Sequence, residues 1–143
     1  VPTCTWSTQA DLAAARNYQD LWWSSPAQSQ AGWGINLTHQ GDTIYATWFT
    51  YDESGKPWWL AAVLKPQVGV GVMYGGSVLA FDGPPFGNKF DSAQVHARNV
   101  GSATIWFGDG NRAVFASTVN GYTQSKNIER QIWGPAGSGT VCK

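Results

Sequence analysis

Residues 32–64, GWGINLTHQGDTIYATWFTYDESGKPWWLAAVL, decide the fold of this chain. They form three runs of apolar and β-branched residues separated by two polar segments, residues 40–42 and 52–56. Each polar segment contains a glycine, which supplies the positive φ angle that a tight reversal of the chain needs. Aromatic and β-branched residues fit a pleated, half-buried surface. The stretch therefore predicts three antiparallel β-strands joined by two short turns.

The central strand of this stretch, residues 43–51, is apolar on both of its sides. Successive side chains of a strand point in opposite directions. One side carries Ile44, Ala46 and Trp48. The other side carries Tyr45, Thr47, Phe49 and Tyr51. We therefore expect part of the second side to be covered as well, by closure into a barrel, by a second sheet or by a partner molecule.

Residues 68–81 predict a further strand with one unusual side. Valines alternate along its first half with Gly69, Gly71 and Gly75. Glycine weakens a strand unless another group must approach the backbone closely. Either an aromatic ring of the same chain packs over this bare side, or a partner contacts it.

The last third of the chain predicts a meander of three strands, residues 103–107, 112–119 and 122–133. Between them lie Asp109-Gly110 and Asn120-Gly121, dipeptides typical of tight hairpins. A two-residue loop at the second dipeptide places Val119 opposite Tyr122. The same register places Arg112 opposite Glu129, as an exposed ion pair.

The chain as a whole predicts an all-β fold, an antiparallel up-and-down meander of about eight strands that is closed or nearly closed into a barrel. A β-sandwich is the alternative. Residues 1–143 are predicted to form a single β domain. Residues 1–31 are an irregular lead-in, with a short capped helix over residues 7–16 and an extended strand over residues 17–23. Residues 134–143 form a C-terminal tail.

The composition excludes several classes of protein. Lys and Arg together number 9, as do Asp and Glu, so the formal net charge is zero. A neutral chain without a basic stripe is a poor partner for nucleic acid. No run approaches the roughly 20 apolar residues that span a bilayer. The opening Val1-Pro2 suits a mature, processed product.

Cys4 and Cys142 are the two cysteines, and they lie near the two termini. Without further ligands nearby they do not make a metal site. We expect a disulfide that ties the tail back to the start of the same chain, in an oxidising compartment. Closing so long a loop stabilises the fold by roughly 4–5 kcal/mol in the chain-entropy model. Two free thiols, or cross-links between subunits, are the alternatives.

Much of the chain resembles a family of uncharacterised secreted proteobacterial proteins. The resemblance is carried by residues 21–60, LWWSSPAQSQAGWGINLTHQGDTIYATWFTYDESGKPWWL. The family has a Leu-Trp-Trp-x-Pro segment, a Gly-Trp-Gly-hydrophobic-Asn segment, an aromatic strand and a Gly-Lys-Pro turn. The later segments MYGGSVLAFDGPPFG, VGSATIWF and TVNGYTQSKNIERQ extend the resemblance over residues 17–131, although the loop before Gly32 is longer here. The resemblance implies secretion and a β-rich fold, and it implies no reaction.

No catalytic motif is recognisable in the sequence, so we predict no enzymatic activity, no metal and no cofactor. His39 and His96 are predicted at the surface, because nothing in their spacing brings them together. Asp82 and Asp109 are the candidates for a paired-carboxylate glycosidase site, but no feature of the sequence supports that pairing.

The outstanding feature is the aromatic content, 9 Trp, 5 Tyr and 6 Phe. Core packing accounts for rings such as Trp48 and Trp106, which we predict to be buried in mid-strand. Two tryptophan pairs differ, because adjacent strand residues point to opposite sides and one ring of each pair must leave the core. The candidate contact or ligand surface therefore consists of Trp22, Trp23, Trp58, Trp59, Gly69, Gly71 and Gly75.

These features favour a secreted, non-enzymatic structural or adhesive module that associates with copies of itself or with a cell-surface or matrix component. Its location would be extracellular or on the cell surface, with the periplasm as a further option. A carbohydrate- or small-ligand-binding barrel, with glycan as a partner, is the second hypothesis. An enzyme of unrecognised type is the third. A flat aromatic patch would favour the first hypothesis, and convergent polar residues in a deep pocket the others.

Overall fold

The computed structural model describes residues 17–69 and 71–131, which form one closed barrel of eight antiparallel strands. The strands are β1 (Asp20–Ser24), β2 (Gly34–Gln40), β3 (Thr43–Tyr51), β4 (Pro57–Pro66), β5 (Val72–Asp82), β6 (His96–Phe107), β7 (Arg112–Val119) and β8 (Tyr122–Arg130). Each strand pairs with the next, and β1 pairs with β8. The predicted up-and-down barrel is confirmed, and the sandwich alternative is wrong because a single sheet closes on itself.

Period-two alternation decides which side chains fill the barrel. In β2, Ile35 and Leu37 are fully buried, and in β3 the predicted inner set of Ile44, Ala46 and Trp48 is buried. The register carries this inner layer from strand to strand, since Ile35 pairs with Trp48, which pairs in turn with Leu60. Apolar side chains from all eight strands therefore meet in one core.

The hairpin between β7 and β8 has the predicted geometry. Asn120 and Gly121 have φ angles of 48° and 82°, as a two-residue turn of this kind requires. Val119 pairs with Tyr122, which confirms the predicted register. Arg112 also pairs with Glu129, but the described residues contain no ion pair between their side chains.

Several strand boundaries differ from the prediction, the first being that of β1, which is Asp20–Ser24 instead of residues 17–23. β5 begins at Val72 instead of residue 68, and the connection from β4 is closed by the Gln67 backbone N–H, which donates to the Met73 carbonyl at 2.8 Å. β6 begins already at His96, and β8 ends at Arg130. The one helical element described is a short 3₁₀ helix, Ser92–Gln94.

Several predictions about the termini fall outside the described residues. These are the helix over residues 7–16, the tail over residues 134–143 and the disulfide between Cys4 and Cys142. Within the described ranges, no helix is long and apolar enough to cross a membrane.

Arg130, the last residue of β8, fastens the first strand to the last. β1 pairs over three residues with β8 and over three with β2, against eight for β7 and β8, so β1 is held by short ladders on both of its edges. The buried guanidinium donates to the carbonyls of Asn17 at 2.8 Å and Gln19 at 2.9 Å. It also donates to the Gly110 carbonyl at 2.6 Å and forms an ion pair with Asp20 at 3.0 Å. Arg130 thus joins the segment that leads into β1, the β6–β7 turn and β8.

Replacing Arg130 by alanine should therefore destabilise the barrel strongly. The substitution removes the ion pair with Asp20 and the donor to three carbonyls, and we expect a loss of about 3–5 kcal/mol in the free energy of unfolding. Urea denaturation of Arg130→Ala against wild type measures this. The control is Arg98→Ala, which breaks an exposed ion pair with Asp82 of 3.4 Å and should cost about 1 kcal/mol or less. Equal losses in the two variants would contradict the role given to Arg130.

Candidate functional site

The outer side of β3, β4 and β5 carries a group of apolar side chains. Alternation turns these residues outward, since their neighbours in each strand fill the core. We call this surface the aromatic face, and it consists of Tyr45, Phe49, Tyr51, Trp59, Val63 and Phe81. Five of the six, all but Phe81, expose between 44% and 50% of their surface.

The register of the strands brings these side chains together. Phe49 pairs with Trp59 across β3 and β4. The Trp59 ring stacks on Phe81 of β5, with centroids 5.0 Å apart and planes 8° from parallel. Tyr45 pairs with Val63 nearer the other end of the barrel. Ala61 also points outward from β4 but is buried, so the larger side chains around it pack closely over it.

Charges lie only at the two ends of the aromatic face. At one end Lys65 forms an ion pair with Asp42 at 3.2 Å, and at the other Arg98 pairs with Asp82. The hydroxyl of Thr43, followed by the Lys65 ammonium, lowers the pKa of Asp42 below its ordinary value, so this carboxylate stays charged at neutral pH. The outward positions between these pairs carry no charged residue. A partner on this face would therefore meet apolar area without having to strip water from a charge.

The structure separates the four predicted surface tryptophans. Trp59 lies on the aromatic face, half exposed. Trp58 is partly buried and lines a cleft at the barrel mouth with Trp48, and Trp23 lines a second cleft with Trp33. Trp22 is fully buried and points into the core, so its assignment to a contact surface is wrong.

The three glycines face side chains of their own chain. Gly69 and Gly71 lie in the loop before β5, and a Cβ atom on Gly71 would come within 2.7 Å of Nε1 of Trp106. Gly75 lies in β5, where an added Cβ would come within 3.2 Å of Gln67. Side chains of the same chain thus fill the space beside Gly71 and Gly75. This favours packing within the chain over contact with a partner as the reason for these glycines.

Two individual side chains lie opposite to their predicted places. Trp106, predicted in the core, points outward with half of its surface exposed. Alternation in the sequence indicates this orientation, because Ile105 and Phe107, on either side of Trp106, are the residues that point into the core. His39, predicted at the surface, is buried in the barrel, whereas His96 is exposed as expected. Alternation with Leu37 in β2 turns His39 inward.

His39 is held in the core by aromatic neighbours and one backbone hydrogen bond. The Tyr18 backbone N–H donates to its Nδ1 at 3.2 Å, and the Tyr18 ring stacks on the imidazole. Nε2 lies 3.5 Å from the Tyr74 hydroxyl. Burial lowers the pKa of His39, and the smaller opposing effects of the Gly41 backbone and the Asp42 charge do not reverse this. The imidazole is therefore neutral at pH 7 and serves as an acceptor that positions Tyr18.

The candidate carboxylates do not meet. Asp82 ends β5 beside the start of β6, and Asp109 follows the end of β6, so a twelve-residue strand separates them. The Asp109 carboxylate accepts from the backbone N–H groups of Asn111 and Arg112, which closes the turn. Within the described ranges no three His, Cys, Asp or Glu residues are grouped so as to hold a metal ion.

A scan against family models and searches of curated proteins and of solved structures found no match for this chain. The family resemblance described for residues 17–131 therefore stays a prediction.

The lowered pKa of His39 predicts a pH dependence of stability. In the unfolded chain the imidazole takes up a proton as the pH falls through its ordinary value of 6.5, while in the barrel it resists protonation to a lower pH. The contribution of His39 to the free energy of unfolding is therefore complete above pH 6.5 and declines as the solution is acidified below it. Carboxylates with a lowered pKa, such as Asp42 and Asp52, change the stability only at pH values near and below their ordinary pKa of 3.8.

We expect wild-type protein to unfold at a lower urea concentration at about pH 5 than at about pH 7.5, and His39→Gln to reduce this difference. Glutamine retains an acceptor for the Tyr18 N–H and does not titrate. His96→Gln, at an exposed position, is the control and should keep the wild-type pH dependence. A pH dependence that disappears in His96→Gln and persists in His39→Gln would contradict the assignment.

Proposed function

We propose that this chain is a non-enzymatic structural or adhesive module that self-associates through the aromatic face. The observation that carries the proposal is the group of five apolar side chains on β3 and β4, each about half exposed, with Phe81 of β5 beside them and no charge among them. Contiguous exposed apolar surface of this kind marks interaction sites on proteins.

The chemistry of the face suits a contact surface. Tryptophan, tyrosine and phenylalanine offer large apolar area with few rotamers to freeze, which is why aromatic residues dominate binding energy at interfaces. Each Å² of apolar area removed from water contributes about 25 cal/mol. Trp59 is further restrained by stacking on Phe81, so less conformational freedom is lost when a partner covers it.

The charge of the chain also favours association of identical copies. Lys and Arg balance Asp and Glu, so no net charge keeps two molecules apart at long range. A contact of one face with the same face closes a dimer, whereas a contact with a different surface of the next copy continues into a chain of molecules. The second geometry would build an extended assembly.

We extend the proposal to location. Two cysteines close to opposite termini suit an oxidising compartment, and we propose that the module acts outside the cell or on its surface, the periplasm being a further option. A cell-surface or matrix component with an apolar patch is a second type of partner for the aromatic face.

Sedimentation velocity over a wide range of protein concentration tests the self-association. We expect the wild-type sedimentation coefficient to rise with concentration, and the double variant Phe49→Ser, Trp59→Ser to weaken association by about tenfold or more, because it removes two of the central rings of the face. Trp106→Ser is the matched control, since Trp106 is as exposed as Trp59 and lies elsewhere on the barrel. A wild type that stays monomeric at every concentration, or a Trp106→Ser variant that loses association equally, would overturn the proposal.

A further inference from the structure

A cleft of about 570 Å³ lies on the outer surface of β6, β7 and β8, beside the end of β1. We call it the Trp106 cleft. Its outward-facing side chains are those of Trp106, Arg112, Val114, Asn127, Glu129 and Ser25. β7, the middle strand of the cleft, lies three positions from β4, the middle strand of the aromatic face, so the two surfaces are separate, although their border strands β5 and β6 pair with each other.

Trp106 forms an apolar wall of the cleft and is held in place by its surroundings. Its indole exposes 50% of its surface. Nε1 lies against Gly71, whose φ of +86° and lack of a Cβ leave room that another residue would fill. The chain therefore keeps a flat aromatic ring in a defined orientation on its surface.

Polar groups line up beside this ring. The register places Trp106 opposite Val114 and Val114 opposite Asn127, and it places Arg112 opposite Glu129 one step further along. Ser25 Oγ donates to the Glu129 carboxylate at 3.1 Å, which orients this acceptor. Within the described residues the Arg112 side chain has no ion pair. The cleft thus offers a guanidinium that donates hydrogen bonds, a carboxylate that accepts them and an amide that can donate and accept.

These groups select a class of ligand. One positive and one negative side chain leave the cleft without net charge, so it favours neither anions nor cations. A sugar ring has a flat face of C–H groups that packs on an aromatic ring, and its hydroxyls both donate and accept hydrogen bonds. The volume lies within the range of about 300–1,000 Å³ that is typical of small-molecule sites.

We propose that the Trp106 cleft binds neutral carbohydrate, with a sugar ring packed on the Trp106 indole and its hydroxyls bonded to Arg112, Asn127 and Glu129. This inference goes beyond the proposed self-association and does not depend on it. Since the two surfaces share no residue and are centred three strands apart, a copy bound through its aromatic face would leave the cleft open to a glycan. An assembly of copies would then present several sugar sites at once.

Isothermal titration calorimetry with four neutral hexasaccharides, cellohexaose, chitohexaose, maltohexaose and mannohexaose, tests the cleft. We expect wild-type protein to bind at least one of them, and Trp106→Ala to bind it about tenfold more weakly or worse, because the packing surface is gone. Trp59→Ala is the matched control: Trp59 exposes 49% of its surface against 50% for Trp106, and its loss should leave sugar affinity unchanged.

Asn127→Ala provides a second variant at an exposed position of the cleft, and it decides the question if Trp106→Ala does not fold. It should also weaken binding of the same hexasaccharide. Absence of binding to all four sugars at millimolar concentration would overturn the proposal, as would equal losses in Trp106→Ala and Trp59→Ala. Binding confined to hexagalacturonate, lost in Arg112→Ala, would overturn it in favour of an anion site. The double variant Phe49→Ser, Trp59→Ser should keep sugar binding, so failure of either proposal is seen separately.

Discussion

The buried guanidinium of Arg130 is the interaction on which the closed barrel depends. An open eight-stranded sheet would expose two edges, and closure removes both. Here the closing pair, β1 with β8, extends over only three residues, and Arg130 supplements its ladder with hydrogen bonds to the segment before β1 and an ion pair with Asp20. The guanidinium also lies over the Trp22 ring, 5.0 Å from its centre, which joins the polar seam to the apolar core.

Once the barrel is closed, aromatic side chains fill its interior. Near one end the ring of Tyr18 stacks on Phe107, with centroids 3.7 Å apart. Near the other, Trp33, Trp48 and Phe115 meet edge to face. Inward positions are thereby committed to packing, and the side chains available to a partner are those that alternation turns outward. Both proposals accordingly concern the outer surface of the barrel.

Two outward tryptophans, Trp59 and Trp106, have nearly the same exposure and quite different neighbours. Trp59 lies between Phe49 and Phe81, so a partner that covers it gains apolar contact on every side. Trp106 has a charged cross-strand pair and an amide close by, so a ligand there can also make hydrogen bonds. The same residue type thus supports protein association in one place and recognition of a polar ring in the other, because the adjacent strands supply different chemistry.

The sequence by itself determined that the chain is all-β, that strands follow one another in an up-and-down order, and that Val119 faces Tyr122. Local turn chemistry and period-two alternation act over a few residues and are visible in the chain. Alternation also separates two sides of each strand, but where both sides are apolar it does not say which one is the inside. Only the tertiary structure decided that His39 packs against Tyr18 and Tyr74 in the core and that Gly71 makes room for the Trp106 indole, because the pairing of strands brings together residues far apart in sequence.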